Sequence, residues 1–168
     1  MKPREKTPHL ELSLINDTSW SLKKQEADKY TLILFYRGYH CPVCRKQLEE
    51  VKENLSRIIE RGIHVIAISM DSEEKSKKTG KEWAVEELPI GYGLSKEQAK
   101  EWGLYLSTGI NEKEPELFSE PGMFLIKADQ TLYFSSVQTM PFTRPKLDDV
   151  IQAIDYIENK QYPARGEV

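Results

Sequence analysis

Apolar residues along this chain follow more than one rhythm, and each rhythm predicts an element. Leu10-Glu11-Leu12-Ser13-Leu14 alternates strictly, as a strand with one face in solvent does. Thr31-Leu32-Ile33-Leu34-Phe35-Tyr36 is a continuous β-prone run, which predicts a strand buried on both faces. Gly38 then breaks the pattern. Pro42 stands where the first turn of a helix would begin, a position that needs no N–H and suits the fixed φ of proline. From there Leu48, Val51, Leu55, Ile58 and Ile59 recur at helical spacing with Lys and Glu between them, predicting one helix that stops at Gly62. Ile63 to Ser69 reads as a second buried strand, and strand–helix–strand at this length predicts a right-handed βαβ unit.

Downstream, a charged helix is expected across Glu73–Glu87 and a short one across Lys96–Trp102. Gly122 and Asp129-Gln130 bracket a strand at Met123–Lys127, with Thr131–Val137 pairing back as a hairpin. Leu147, Val150, Ile151, Ile154 and Ile157 then form one apolar stripe, the clearest helix in the sequence. These elements imply an α/β fold with a central mixed β-sheet and helices on both faces. Sites in such sheets are built at the carboxyl ends of central strands, the edge where residues 37–44 fall. No repeat or linker-like stretch interrupts the order, and 168 residues suit a single domain spanning 1–168.

Charge changes this picture little. The net charge is -3, the pI is about 5.7, and the basic residues are dispersed, so no nucleic-acid partner is expected. No window approaches the ~18 consecutive apolar residues of a membrane span, and Met1-Lys2-Pro3-Arg4-Glu5-Lys6 has no apolar signal core, so no membrane partner and a cytoplasmic location are expected. No cofactor is implied.

The chemistry concentrates in the only two cysteines, Cys41 and Cys44 of Cys41-Pro42-Val43-Cys44. A bridge across two residues removes almost no unfolded-chain entropy, so the pair is not a structural staple. Zinc would need four ligands, and neither a second Cys pair nor a His pair exists among His9, His40 and His64. Two small buried hydrophobes remain an alternative, but placement around a proline at a strand-to-helix junction favours a redox dithiol. At a helix N-terminus, Cys41 meets free N–H groups and the positive end of the dipole, with Arg37, His40, Arg45 and Lys46 nearby. That setting predicts a thiol pKa of about 7 and a nucleophilic Cys41. Cys44, one turn deeper, is expected to keep its proton longer and to act second, as the resolving thiol.

At Phe35-Tyr36-Arg37-Gly38-Tyr39-His40-Cys41-Pro42-Val43-Cys44-Arg45 the chain resembles peroxiredoxin-like proteins of the alkyl hydroperoxide reductase/thiol-specific antioxidant family, within the thioredoxin-like superfamily. Val65 to Ser72 resembles that family's second strand and acidic turn, and Leu88-Pro89-Ile90 with Gln98 to Leu104 is similar to the approach to its third core strand. Pro121-Gly122-Met123-Phe124-Leu125-Ile126 looks like the thioredoxin-fold segment that begins with a cis-proline facing the dithiol; from the residues alone Pro121-Gly122 would read as a type II turn. Arg144-Pro145 and Tyr162 to Gly166 add to the likeness. The resemblance implies a thioredoxin-like fold, an antioxidant oxidoreductase, a disulfide or hydroperoxide as substrate, and a thioredoxin- or glutathione-type reductant as partner. It also departs from the family. Gly38 stands where peroxiredoxins have a peroxide-binding Thr or Ser, and Pro121-Gly122 where they have an arginine, which leaves Arg37 and Arg144 as candidates for that part.

Elsewhere, Trp20, Trp83 and Trp102 read as packing residues, with Trp83 open to a surface position. His64 reads as a structural histidine of a core strand, the Glu73–Lys81 charges as a solvated helix face, and Glu112–Glu116 as an exposed loop. The function expected is a thiol–disulfide oxidoreductase, by disulfide exchange or by peroxide reduction. The alternative is a non-catalytic redox sensor or binding module whose dithiol is shielded by large neighbours such as Tyr36 and Tyr39.

Overall fold

The computed structural model describes residues 1–168. Its strands and α-helices fall in the order β1 (Glu11–Leu14), β2 (Ser19–Ser21), β3 (Tyr30–Phe35), α1 (Pro42–Glu53), α2 (Leu55–Ile59), β4 (Ile63–Ile68), α3 (Glu73–Glu82), β5 (Ile90–Tyr92), α4 (Lys96–Glu101), β6 (Leu106–Thr108), β7 (Leu117–Ser119), β8 (Gly122–Lys127), with β9 (Leu132–Val137) and α5 (Leu147–Lys160) closing the chain. Seven strands form one mixed sheet in the order β2-β1-β5-β4-β3-β8-β9, while β6 and β7 pair separately. No helix is long and apolar enough to cross a membrane.

The βαβ unit forms as expected: β3 and β4 are parallel from Tyr30 opposite Ile63 to Phe35 opposite Ile68. The continuous apolar run of β3 has a reason. Tyr30, Leu32, Leu34 and Tyr36 enter one core with Leu48, Val51, Ile58 and the stripe of α5. Ile33 and Phe35 point the other way, to Leu12, Trp20, Ala99, Trp102 and Phe124. A strand whose period of two serves two cores is apolar at nearly every position, buried Thr31 being the exception in β3. Helices therefore lie on both faces.

Several boundaries differ from the sequence pattern. The helix expected up to Gly62 is two, broken at Asn54, whose backbone leaves helical geometry (φ -105, ψ 13) while its side-chain amide donates to the Glu50 carbonyl at 2.8 Å. The charged helix ends at Glu82 rather than Glu87, because Ala84 turns to φ 53 and the Val85 N–H closes onto the Gly80 carbonyl at 2.9 Å. Strands β2, β5, β6 and β7 are three residues each, too short for a period to show.

All three tryptophans are buried, Trp83 included, where it stacks with Tyr39. The Glu73–Lys81 charges do face solvent, around buried Ser76, Thr79 and Gly80. His64 is exposed, not a core histidine, because it falls on the one outward position of β4; its ring nitrogen lies 3.3 Å from the Gln25 side-chain oxygen.

The Glu120–Pro121 bond is trans, as are all peptide bonds of the chain, and Pro121 makes neither a cis junction nor a turn. The chain runs extended from β7 into β8. The Glu120 N–H donates to the Tyr105 carbonyl at 2.8 Å, and the Pro121 carbonyl accepts from the Gln138 N–H at 2.9 Å. Backbone bonds on both sides of the linkage hold it straight.

Candidate active site

The carboxyl end of β3 releases the chain into Arg37-Gly38-Tyr39-His40 before Cys41 caps α1. Gly38 is required there. Its φ is +133, and a Cβ would sit 2.8 Å from both carboxylate oxygens of Asp71. Asp71, at the end of the neighbouring parallel strand, is buried and accepts the Tyr39 N–H at 2.7 Å. Burial raises its pKa above the ordinary carboxylate value. The acidic turn thus fixes the loop that leads into Cys41, and the glycine at position 38 lets the Asp71 carboxylate approach.

Cys41 is the N-cap residue of α1, with extended backbone (φ -102, ψ 104) and Pro42 at the first helical position. Its sulfur accepts the Cys44 N–H at 3.2 Å, so the thiol takes the place a Ser or Asp oxygen usually fills at a cap. Both sulfurs are buried, Cys41 at 1% and Cys44 at 0% exposure, and both thiols are free.

The cation against them is Arg144. Its Nη2 lies 3.0 Å from the Cys44 sulfur and 3.8 Å from that of Cys41. Its Nη1 donates to the Gln47 side-chain oxygen at 2.6 Å, and its Nε to the Pro141 carbonyl at 2.7 Å. Pro121 lines the same small cleft with Gln47, Gln138 and Pro145.

Arg37 is brought to the site but faces away into its own acidic pocket. Its guanidinium lies 3.2 Å from a Glu120 oxygen, 3.5 Å from Glu114, and 4.7 Å over the Phe118 ring. Ser107 donates to the other Glu120 oxygen at 2.7 Å. The segment expected as a simple exposed loop therefore sends Glu114 inward. Of the other cations expected around Cys41, Arg45 is engaged by Glu49 at 2.8 Å and His40 is neutral near pH 7. Burial, then the Arg37 charge, pushes the His40 pKa down to about 4; its ring packs against Phe118 at 4.8 Å.

The two thiols are driven apart. Cys41 is lowered to about 6, chiefly by the hydrogen bond from the Cys44 side chain, against burial, and further by the Cys44 N–H and the charges of Arg144 and Arg37. Cys44 is raised well above the ordinary thiol value, first by burial and then by its neighbour Cys41. The proton therefore leaves Cys41 before it leaves the deeper Cys44. No group of three or more His, Cys, Asp or Glu converges as a metal would require.

The sequence pattern does not single out Asp71, Glu114, Glu120 or Gln47 as parts of the site. Asp71 carries a signal, its place just beyond a buried strand; Glu114 and Glu120 are polar residues in unpatterned surroundings, and Gln47 reads as an ordinary polar position of a patterned helix.

A free thiol at a helix cap, a second thiol one turn on and a mixed sheet of this order fit a thiol-dependent oxidoreductase of the thioredoxin-like superfamily. The chain belongs to the AhpC/TSA family, whose model matches residues 3–135; Arg144 and α5 lie beyond the matched stretch. No curated protein sequence matches it. Among solved structures it is similar to the peroxidoxin BcpB from Mycobacterium tuberculosis, at 16% identity and a TM-score of 0.76 over 94% of this chain and 98% of that one. It is also similar to a cysteine-to-serine mutant of peroxiredoxin 6 from Arenicola marina, at 17% identity and a TM-score of 0.79 over 96% of this chain and 75% of that one. Enterococcus faecalis AhpC matches at 15% identity and a TM-score of 0.75, over 97% of this chain and 98% of that one. These likenesses are of fold. Family membership favours the oxidoreductase over a non-catalytic sensor or binding module.

Proposed function

We propose that this protein reduces hydroperoxides, with Cys41 as nucleophile and Cys44 as resolving thiol. The observation that carries the reading is the pairing of an activated sulfur with near-complete burial: Cys41 is capped by an N–H and held beside Arg144, yet only 1% exposed. A two-oxygen head needs far less room to reach that sulfur than a folded disulfide partner does.

The Cys41 thiolate attacks one peroxide oxygen. The S–O bond forms as the O–O bond breaks, the second oxygen leaves as water or an alcohol after taking a proton, and the sulfur is oxidised by two electrons to a sulfenic acid. Cys44 then attacks that sulfur and expels water, leaving the Cys41–Cys44 disulfide. In an α-helix, positions three apart hold their Cβ atoms at about 5–6 Å, against the roughly 3.8 Å of a disulfide, so closing it requires only local adjustment of the first turn. Arg144 steadies the thiolate and the charge developing on the leaving oxygen. Pro42 keeps the helix start free of a competing N–H, and Pro121 walls the cleft. Arg37 braces the loop through Glu114 and Glu120.

An external thioredoxin- or glutathione-type reductant returns the disulfide to the dithiol, which suits a reducing compartment such as the cytoplasm. The test is consumption of hydrogen peroxide and of a model disulfide, side by side, with such a reductant in excess. Peroxide turnover that outpaces disulfide reduction and vanishes in Cys41→Ser is expected. Disulfide reduction with peroxide untouched would return the protein to disulfide exchange.

A further inference from the structure

Arg144 reaches the dithiol from a stretch with no regular structure, between β9 and α5, so its backbone does little to aim it. Its partners do. The guanidinium uses all three of its nitrogens: Nε on the Pro141 carbonyl three residues back, Nη1 on Gln47, and Nη2 on the sulfurs. The Pro141 contact is local and moves with the segment. Gln47 is the only non-sulfur partner on α1, the helix that carries both cysteines. It follows Cys44 by three residues and so shares its face.

The identity of that partner matters. None of the four atoms bound by Arg144 belongs to a carboxylate. Arg37, by contrast, is matched by Glu114 and Glu120. Asp71 lies behind Gly38 and Tyr39, occupied by the Tyr39 N–H, and His40 packs on Phe118. Arg144 is therefore the one cation at the sulfurs without a carboxylate partner. An amide oxygen can fix a planar guanidinium without neutralising it, whereas a glutamate there would compete with the thiolate for the same charge.

We propose that Gln47 is a positioning residue of the active site, holding the Arg144 guanidinium against the two sulfurs while leaving its full charge to the Cys41 thiolate. This rests on Cys41 being the nucleophile. It does not depend on peroxide being the substrate.

A double-substitution cycle tests it, read as the rate of iodoacetamide alkylation of Cys41 against pH in the otherwise intact protein. Gln47 is half-buried on a helix surface, so Gln47→Leu keeps the helix and removes only the acceptor; Gln47→Ala repeats the measurement should Leu misfold. The midpoint of the alkylation profile should rise by roughly half a unit to one unit in Gln47→Leu, as expected when an opposite charge a few ångströms away loses its aim. Arg144→Ala should raise it at least as far, and adding Gln47→Leu to Arg144→Ala should change nothing more. A wild-type midpoint in Gln47→Leu, or an equal shift with and without Arg144, would overturn the proposal. Alkylation needs no peroxide, so a chain that proved to be a disulfide reductase would leave this result standing.

Discussion

A free cysteine holds its proton to a pH of about 8.5, and Cys41 is released from that by its own helix. The Cys44 N–H donates to its sulfur at 3.2 Å, and Arg144, ahead of Arg37, adds positive charge. The sign of the pH dependence follows. The thiolate is the reactive form, so alkylation of Cys41 should climb as pH rises through about 6 and level off above it. Cys44, raised by burial, should stay silent across the same range. Stopped-flow alkylation located by mass spectrometry reads both, and a lower midpoint at Cys44 would reverse the roles. Gly38 makes a second residue-scale claim. An alanine there must hold φ near +133 and push aside Asp71, so Gly38→Ala should cost about 1–3 kcal/mol in denaturant unfolding. The dithiol and its place at the start of α1 are legible in the sequence because a cap position has local rules. The cation is legible only through the family likeness, which offers Arg37 and Arg144: Arg37, His40, Arg45 and Lys46 lie close in sequence, but each is paired, neutralised or turned to solvent, and the guanidinium in contact with the sulfurs is that of Arg144, far along the chain.

At the scale of elements, periodic segments are legible and short ones are not. The β3–α1–β4 unit and the stripe of α5 declare themselves by repetition; three-residue strands such as β5 cannot. Pro121 misleads because Pro-Gly is a turn signal and the family likeness suggests a cis bond, while the extended pairing that decides its geometry comes from Tyr105 and Gln138. The second core tests how elements lock together. Trp102, at the end of α4, meets Phe35 of β3 at 5.5 Å and Phe124 of β8 at 5.2 Å, and its indole N–H is buried without a partner. Trp102→Ala should therefore cost about 3–5 kcal/mol by opening a cavity. Trp102→Phe, which also deletes the orphan donor, should stay within about 1.5 kcal/mol. Urea titration of both variants separates packing from polarity; equal losses would mean that the indole N–H has a partner after all.

For the whole molecule, the topology decides what meets at the dithiol. β3 and β4 are parallel and end together, giving Gly38–Cys41 and Asp71. β8 is antiparallel to β3, so it begins at that end, giving Glu120 and Pro121. β9 reverses again and ends there, delivering the segment that carries Arg144. Four segments distant in sequence thus meet at one end of the sheet, where the dithiol lies, and no local pattern in Thr139-Met140-Pro141-Phe142-Thr143 announces that it leads to the active site. The central claim is that Cys41 takes up a peroxide oxygen and Cys44 removes it. The most direct measurement treats Cys44→Ser with one equivalent of hydrogen peroxide in the presence of dimedone, which captures sulfenic acids, and locates the adduct by mass spectrometry. The account predicts an adduct on Cys41 in that variant and a Cys41–Cys44 disulfide with little adduct in the wild type. Peroxide left unconsumed and Cys41 left unlabelled in a folded Cys44→Ser protein would contradict it.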